Sequence, residues 1–209
     1  MEVRARRFFR PQSSFFPGVC QMSRPVVTLL GDSISAGYGL RPSQALPPRL
    51  QAALFALGVD VEVVGAGVSG DAVRDGLARL DRSVPMRTDL CVVALGANDL
   101  MQAVPVDRMR GGLEAIVKSL LARPTRVLLC GMRAPPWIGA YARTFDAVFP
   151  NVAKVYDVDF YPFLLDGVAL NPLLNLPDRM HPNAEGIEVI ARRLAPHVRS
   201  ALRRDQGQL

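Results

Sequence analysis

Five short runs rich in valine and leucine recur along the chain, each parted from the next by a segment long enough for a helix. They are Val26 to Leu30, Val61 to Val64, Leu90 to Leu95, Arg126 to Cys130 and Lys154 to Val158. Such alternation predicts a parallel sheet, because parallel neighbours need long crossovers and these are usually helical. Runs such as Cys91-Val92-Val93-Ala94-Leu95 are apolar at every position, the pattern of strands covered on both faces. The predicted fold class is therefore α/β, a three-layer α/β/α sandwich. Helices are expected at about Ser43 to Leu57, Ala72 to Leu80, Val106 to Ala122, Ala140 to Phe149 and Asn183 to Leu202, with Asn183 as the N-cap of the last.

A chain of 209 residues can bury one sizeable core. The expected organisation is a disordered basic extension over residues 1–24, one domain over 25–204 and a tail over 205–209. The net charge of +6 would point to nucleic acid or a membrane surface if it were spread over the folded body. It is not: residues 1–24 carry five Arg and one Glu, residues 192–209 five Arg and one Asp, and the span 25–191 keeps 15 Lys plus Arg against 17 Asp plus Glu. Nucleic acid is accordingly not an expected partner, and the sequence leaves the oligomeric state open.

No run reaches the roughly 18 apolar residues of a membrane-spanning helix. The first 21 residues, with Arg4, Arg6, Arg7 and Arg10, lack the continuous apolar stretch of a secretory signal. A cytoplasmic location is expected, with the periplasm or secretion as the alternative. Three cysteines build neither a disulfide framework nor a zinc spacing. Cys91 and Cys130 fall inside strand runs, where a buried and inert thiol is expected, and Cys20 lies in the extension.

In an open parallel sheet, ligands bind beyond the carboxyl ends of the strands, so the loops after the strands carry the chemistry. After the first three runs these are Gly31-Asp32-Ser33-Ile34-Ser35, Gly65-Ala66-Gly67-Val68-Ser69-Gly70-Asp71 and Gly96-Ala97-Asn98-Asp99. A serine hydroxyl becomes a useful nucleophile when a base takes its proton, and that base needs an acceptor on its other nitrogen. Of the two histidines, His197 lies on the last predicted helix with no motif around it, whereas His181 stands in Asp178-Arg179-Met180-His181-Pro182. Asp178 is placed to accept the Nδ1 proton and leave Nε2 facing Ser33. Donors for an oxyanion are at hand in the backbone N–H of Ser33, the N–H of Gly70 and the side-chain amide of Asn98.

Taken singly, each piece also reads as ordinary structure: a strand-to-helix turn, a loop, a cap before a histidine. Their joint occurrence in order, each after a predicted strand, favours the catalytic reading. Apolar residues beside these blocks are candidates to line an acyl site: Leu100, Met101 and Val104, then Pro135, Trp137 and Ile138, and Met180 next to His181. Two other readings stand beside esterolysis. One is a carbohydrate O-deacetylase built on the same residues. The other is a non-catalytic flavodoxin-like binding module, since Gly65-Ala66-Gly67-Val68-Ser69-Gly70 superficially spells a dinucleotide pattern.

The blocks Gly31-Asp32-Ser33-Ile34, Val68-Ser69-Gly70-Asp71, Gly96-Ala97-Asn98-Asp99 and Asp178-Arg179-Met180-His181-Pro182-Asn183 resemble those of the GDSL-type, or SGNH, hydrolases. Ile34 stands where that family's name has leucine. Ala36-Gly37-Tyr38-Gly39-Leu40, Gly76-Leu77-Ala78-Arg79-Leu80 and Gly131-Met132-Arg133-Ala134-Pro135-Pro136 are similar to its arylesterase branch, which includes the bacterial multifunctional thioesterase and lysophospholipase. The resemblance implies a flavodoxin-like five-stranded parallel sheet. It also implies Ser33 as nucleophile, His181 as base, Asp178 as its partner and an oxyanion hole of Ser33, Gly70 and Asn98. No metal or organic cofactor is implied, and the substrates would be small-molecule esters, thioesters or lysophospholipids.

Overall fold

The structure is a computed structural model that describes residues 24–204; the expectations for the extension before Arg24, including Cys20, and for the tail lie outside the described residues. Five strands form one parallel sheet: β1 (Val26–Gly31), β2 (Glu62–Gly67), β3 (Leu90–Ala94), β4 (Arg126–Cys130) and β5 (Asp159–Tyr161). Their spatial order is β2-β1-β3-β4-β5, the flavodoxin-like order. β1 and β3 are buried at every residue, as their uninterrupted apolar sequence requires. Burying a valine or leucine side chain fully is worth about 1.5 to 3 kcal/mol, so these central strands anchor the core. The one hydroxyl inside β1 is satisfied, Thr28 Oγ1 lying 2.8 Å from Thr88 Oγ1.

Helices cover both faces. α2 (Leu46–Ala56) and α8 (Ala184–Arg203) pack together on one side, while α3 (Val73–Ala78), α6 (Val106–Leu121) and α7 (Ala140–Val155) pack on the other. Asn183 caps α8, its side chain accepting from the Gly186 N–H at 2.9 Å. Short helices the sequence pattern did not reveal, α1 (Ser33–Ala36), α4 (Leu80–Ser83) and α5 (Ala97–Met101), are too brief to leave a 3.6-residue period. Among the described residues no helix is long and apolar enough to cross a membrane.

Several elements differ from expectation: β2 continues through Gly65 and Ala66 to Gly67, expected in the loop after it, and the helix expected over Ala72 to Leu80 ends at Ala78, with α4 starting at Leu80. α7 does not stop at Phe149 but runs through Pro150 to Val155, and β5 begins at Asp159 rather than Lys154. Phe145, Val148, Phe149, Val152 and Ala153 are buried in α7, a spacing of i, i+3, i+4, i+7 and i+8 that keeps one face on the sheet. That burial outweighs the backbone hydrogen bond that Pro150 cannot make.

Because all strands are parallel, the loops after them gather at one edge. Strand order reverses between β1 and β3, and the crevice there is where this architecture receives a ligand. The turn into α1 follows β1, and the turn into α5 follows β3.

Candidate active site

β1 delivers its last residue, Gly31, into a crowded turn. A Cβ on Gly31 would lie 2.1 Å from Ser35 Oγ and 2.9 Å from the Ala94 carbonyl oxygen, so only glycine fits. Asp32 then caps α1, its Oδ1 accepting from the Ile34 N–H at 3.1 Å. This sets Ser33 as the first residue of the helix, 8% exposed, with its backbone N–H among the donors that a helix start leaves unpaired.

The segment holding His181 is pinned by its own backbone. The Leu176 N–H donates to the His181 carbonyl at 2.7 Å, the Asn183 N–H to Leu174 at 3.0 Å, and Asn175 pairs with Pro182 as an antiparallel bridge. Asp178 folds back over this turn: its Oδ1 accepts from the N–H groups of Met180 (2.9 Å) and His181 (3.0 Å), and its Oδ2 lies 2.7 Å from His181 Nδ1. The His181 and Met180 backbone N–H groups, and then the imidazole, hold the Asp178 carboxyl down at about 2. On the far side of the ring, Nε2 is 3.1 Å from Ser33 Oγ. The Tyr38 ring packs on the imidazole with centroids 4.4 Å apart, limiting its rotation.

Gly70 and Asn98 arrive from the next two strand ends. Val68 to Asp71 form a turn closed by the Asp71 N–H and the Val68 carbonyl at 3.2 Å, with Gly70 at φ +88°, the left-handed position that a type II turn reserves for glycine. Asn98, buried in the first turn of α5, donates through Nδ2 to the Asp71 carbonyl at 3.0 Å. The N–H groups of Ser33 and Gly70 donate to no other described residue.

A buried arginine ties these pieces together. Arg79 donates to Asp71 Oδ2 (2.5 Å), to the Ala66 carbonyl (2.8 Å) and to the Gly31 carbonyl (2.9 Å). It therefore links the ends of β1 and β2 to the residue after Gly70. In the sequence Arg79, Asp71 and Tyr38 stood out only as members of the blocks that carry the family likeness, with no role of their own. No local signal marks this pair, since Arg74 and Asp75 lie between Asp71 and Arg79 and compete as partners. The glycines of the dinucleotide-like pattern serve packing here: a Cβ on Gly67 would come 2.4 Å from the Ala36 nitrogen, and one on Gly65 2.9 Å from Pro47 Cγ. That closeness lets β2 press against the turn bearing Ser33.

The seven expected lining residues are placed less uniformly. Leu100 and Val104 pack half-buried against the core, and Pro135 is half-buried in the loop after β4. Met101, Trp137, Ile138 and Met180 are exposed. A small gap beside Ser33 and His181, too narrow to admit a ligand, is lined by Ile34, Gly37, Tyr38, Leu40, Pro182 and Ile187. His197 is apart from the site, exposed on α8 with its ring 4.7 Å from that of Tyr161. Cys91 and Cys130 are buried free thiols as expected, and burial pushes Cys91 up to about 12. No group of three or more metal-ligating side chains occurs among the described residues.

Asp32 was not singled out from sequence, yet it is 1% exposed and its Oδ2 has no partner. Burial is the main cause that raises its carboxyl to about 6, opposed by the Ile34 N–H. A carboxyl whose pKa rises on folding holds its proton more tightly in the native state. Its cost to stability therefore grows between about pH 4 and pH 6 and is level above that. Asp32→Asn keeps the cap and removes the charge. The variant is expected to gain on the wild type as pH rises through this window, by about 3 kcal/mol in full, read as urea midpoints at pH 4 and pH 7.5. A difference that does not vary with pH would contradict this.

Residues 29–189 match the GDSL-like lipase/acylhydrolase family. The chain belongs to this family. An arylesterase of Vibrio mimicus is 32% identical over 176 residues, 81% of this chain and 88% of the relative. The thioesterase 1/protease 1/lysophospholipase L1 of Escherichia coli K12 is 32% identical over 179 residues, 85% of each chain. Among solved structures, the crystal structure of TesA superposes with a TM-score of 0.79 at 31% identity, covering 84% of this chain and 99% of that one. As a GDSL-type hydrolase, the protein is an enzyme that cleaves carboxylic esters or thioesters.

Proposed function

We propose that this GDSL-type hydrolase works through an acyl-Ser33 intermediate, with His181 as general base and acid and Asp178 as its orienting partner. The observation that carries the proposal is the unbroken line from Asp178 Oδ2 to His181 Nδ1 (2.7 Å) and from Nε2 to Ser33 Oγ (3.1 Å). With the Nδ1 proton held by an ionised carboxylate, Nε2 is the free acceptor. As Oγ attacks the carbonyl carbon, Nε2 takes its proton, and the carbonyl oxygen becomes an oxyanion.

That oxyanion is met by the N–H groups of Ser33 and Gly70 and by Asn98, whose amide has a second N–H beyond the one given to Asp71. Each such donor lowers the barrier by about 2.7 to 4 kcal/mol. Arg79, through Asp71 and Gly31, positions two of these donors. Collapse of the intermediate expels the alcohol or thiol, which receives the proton from Nε2. A water deprotonated by His181 then attacks the acyl-serine, releasing the acid and restoring Ser33.

For substrates, the named activities of the relatives support aryl esters, thioesters and lysophospholipids, and short alkyl esters belong to the same proposal. Leu100, Met101, Val104, Pro135, Trp137, Ile138 and Met180 are assigned to the acyl side because their loops follow β3, β4 and β5 at the reacting edge. The test is a rate series over p-nitrophenyl esters of increasing acyl length, with an acyl-CoA and a lysophospholipid alongside. Turnover of acetylated xylan in preference to all of these would favour the deacetylase instead.

A further inference from the structure

The turn between the two triad residues contains an unexpected side chain. Arg179 adopts φ +60°, a left-handed conformation that costs every residue except glycine. Nothing in the turn needs a side chain there: the Arg179 N–H closes the turn onto the Leu176 carbonyl at 2.8 Å, a bond that glycine would make equally well. The guanidinium itself has no hydrogen bond or ion pair to another described residue. Arg179 is exposed, so its unpartnered cation at this strained position is free to meet a group from outside the chain.

Arg179 lines a cavity of about 350 Å³ together with Leu170, Asn171, Pro172 and Asn175. The amides there bond to the chain's own backbone, Asn171 Oδ1 accepting from the Leu173 N–H at 3.0 Å and Asn175 Nδ2 donating to the carbonyls of Val168 and Asn171. The carboxylates of the segment are also occupied, Asp178 by His181 and Asp166 by Arg193. The cavity therefore offers one free positive charge and the Asn171 amide N–H groups beside the apolar side chains of Leu170 and Pro172.

Its place relative to the chemistry indicates what it would hold. If Nε2 of His181 hands its proton to the departing atom, the leaving half of the substrate exits past the imidazole. Arg179 is two residues from His181, a separation of at most about 7 Å between Cα atoms. We propose that Arg179 and this cavity form a subsite for a phosphate or carboxylate carried on the leaving alcohol or thiol. A guanidinium binds either group through paired, charge-assisted hydrogen bonds. The proposal rests on the acyl-Ser33 reading, which fixes the side from which the leaving group departs.

The test compares matched substrates of one acyl group on wild type and Arg179→Gly, a change that relieves the backbone as it removes the cation. One pair is the ester of glycerol 3-phosphate against that of glycerol, and the other the thioester of phosphopantetheine against that of N-acetylcysteamine. The expected result is a fall of about 10- to 100-fold in the preference for the phosphate-bearing member, carried by KM, in whichever pair the site serves. A thermal midpoint at or above wild type would accompany it. An equal effect on charged and neutral members of both pairs, or no effect on either, overturns the subsite while leaving the Ser33 mechanism standing. Undiminished turnover of the neutral esters by Ser33→Ala would overturn the mechanism, and the subsite with it.

Discussion

Replacing Ser33 with alanine is expected to lower kcat/KM by about 10⁴- to 10⁶-fold with little change in the thermal midpoint. The two outcomes separate because the Ser33 hydroxyl has one described partner, His181 Nε2 at 3.1 Å. The backbone N–H of residue 33, the Asp32 cap and the glycine packing of the turn do not depend on the hydroxyl. Alanine therefore removes the attacking oxygen and leaves the oxyanion donors. What remains is the acceleration that binding and those donors provide without a nucleophile. Initial rates on an activated aryl ester, with melting curves of the same preparations, check both halves. Activity within tenfold of wild type in the folded variant would exclude Ser33 as nucleophile.

Asp178→Asn is expected to cost about 10⁴-fold in kcat through one proton. An asparagine oxygen can still accept from the N–H groups of Met180 and His181, as Asp178 Oδ1 does now, so the turn is retained. Its amide nitrogen, however, would face Nδ1 with a donor. The imidazole then places its proton on Nε2, where it cannot accept from Ser33. The pH dependence sharpens this. Backbone donors hold Asp178 ionised down to about 2, so its contribution is complete above pH 4 and is lost only as pH falls through about 2. Loss of activity between pH 4 and 7 thus has another origin than protonation of Asp178. A kcat within tenfold of wild type at pH 7 in the folded variant would count against the assignment.

Much of this site was legible because its residues follow strands that announce themselves. Ser33, Gly70 and Asn98 each come soon after a run of buried valine and leucine, and Asp178 and His181 are local neighbours whose pairing needs no knowledge of the fold. What escaped was set by tertiary packing. The reach from Arg79 to Gly31 spans 48 residues, and no local pattern marks a guanidinium that fills a gap between strand ends. The burial that raises Asp32 depends on β2 pressing on its turn, which the tripeptide alone does not disclose.

The displaced start of β5, expected at Lys154 and found at Asp159, has a similar cause. Val152, Ala153 and Val155 read equally as strand or as helix, and only the sheet face beneath α7 decides for helix as far as Val155. The acyl-lining residues were the least legible. Apolar side chains in loops can turn inward or outward, and Met101, Trp137, Ile138 and Met180 turn to solvent while Leu100 and Val104 join the core.

The central claim, that one serine activated by His181 forms a covalent intermediate, is tested most directly by reaction of the folded protein with a fluorophosphonate followed by peptide mass spectrometry. Stoichiometric modification of Ser33, lost in His181→Ala, is the predicted result. An unmodified Ser33 in native protein, or labelling at a different serine, would contradict it.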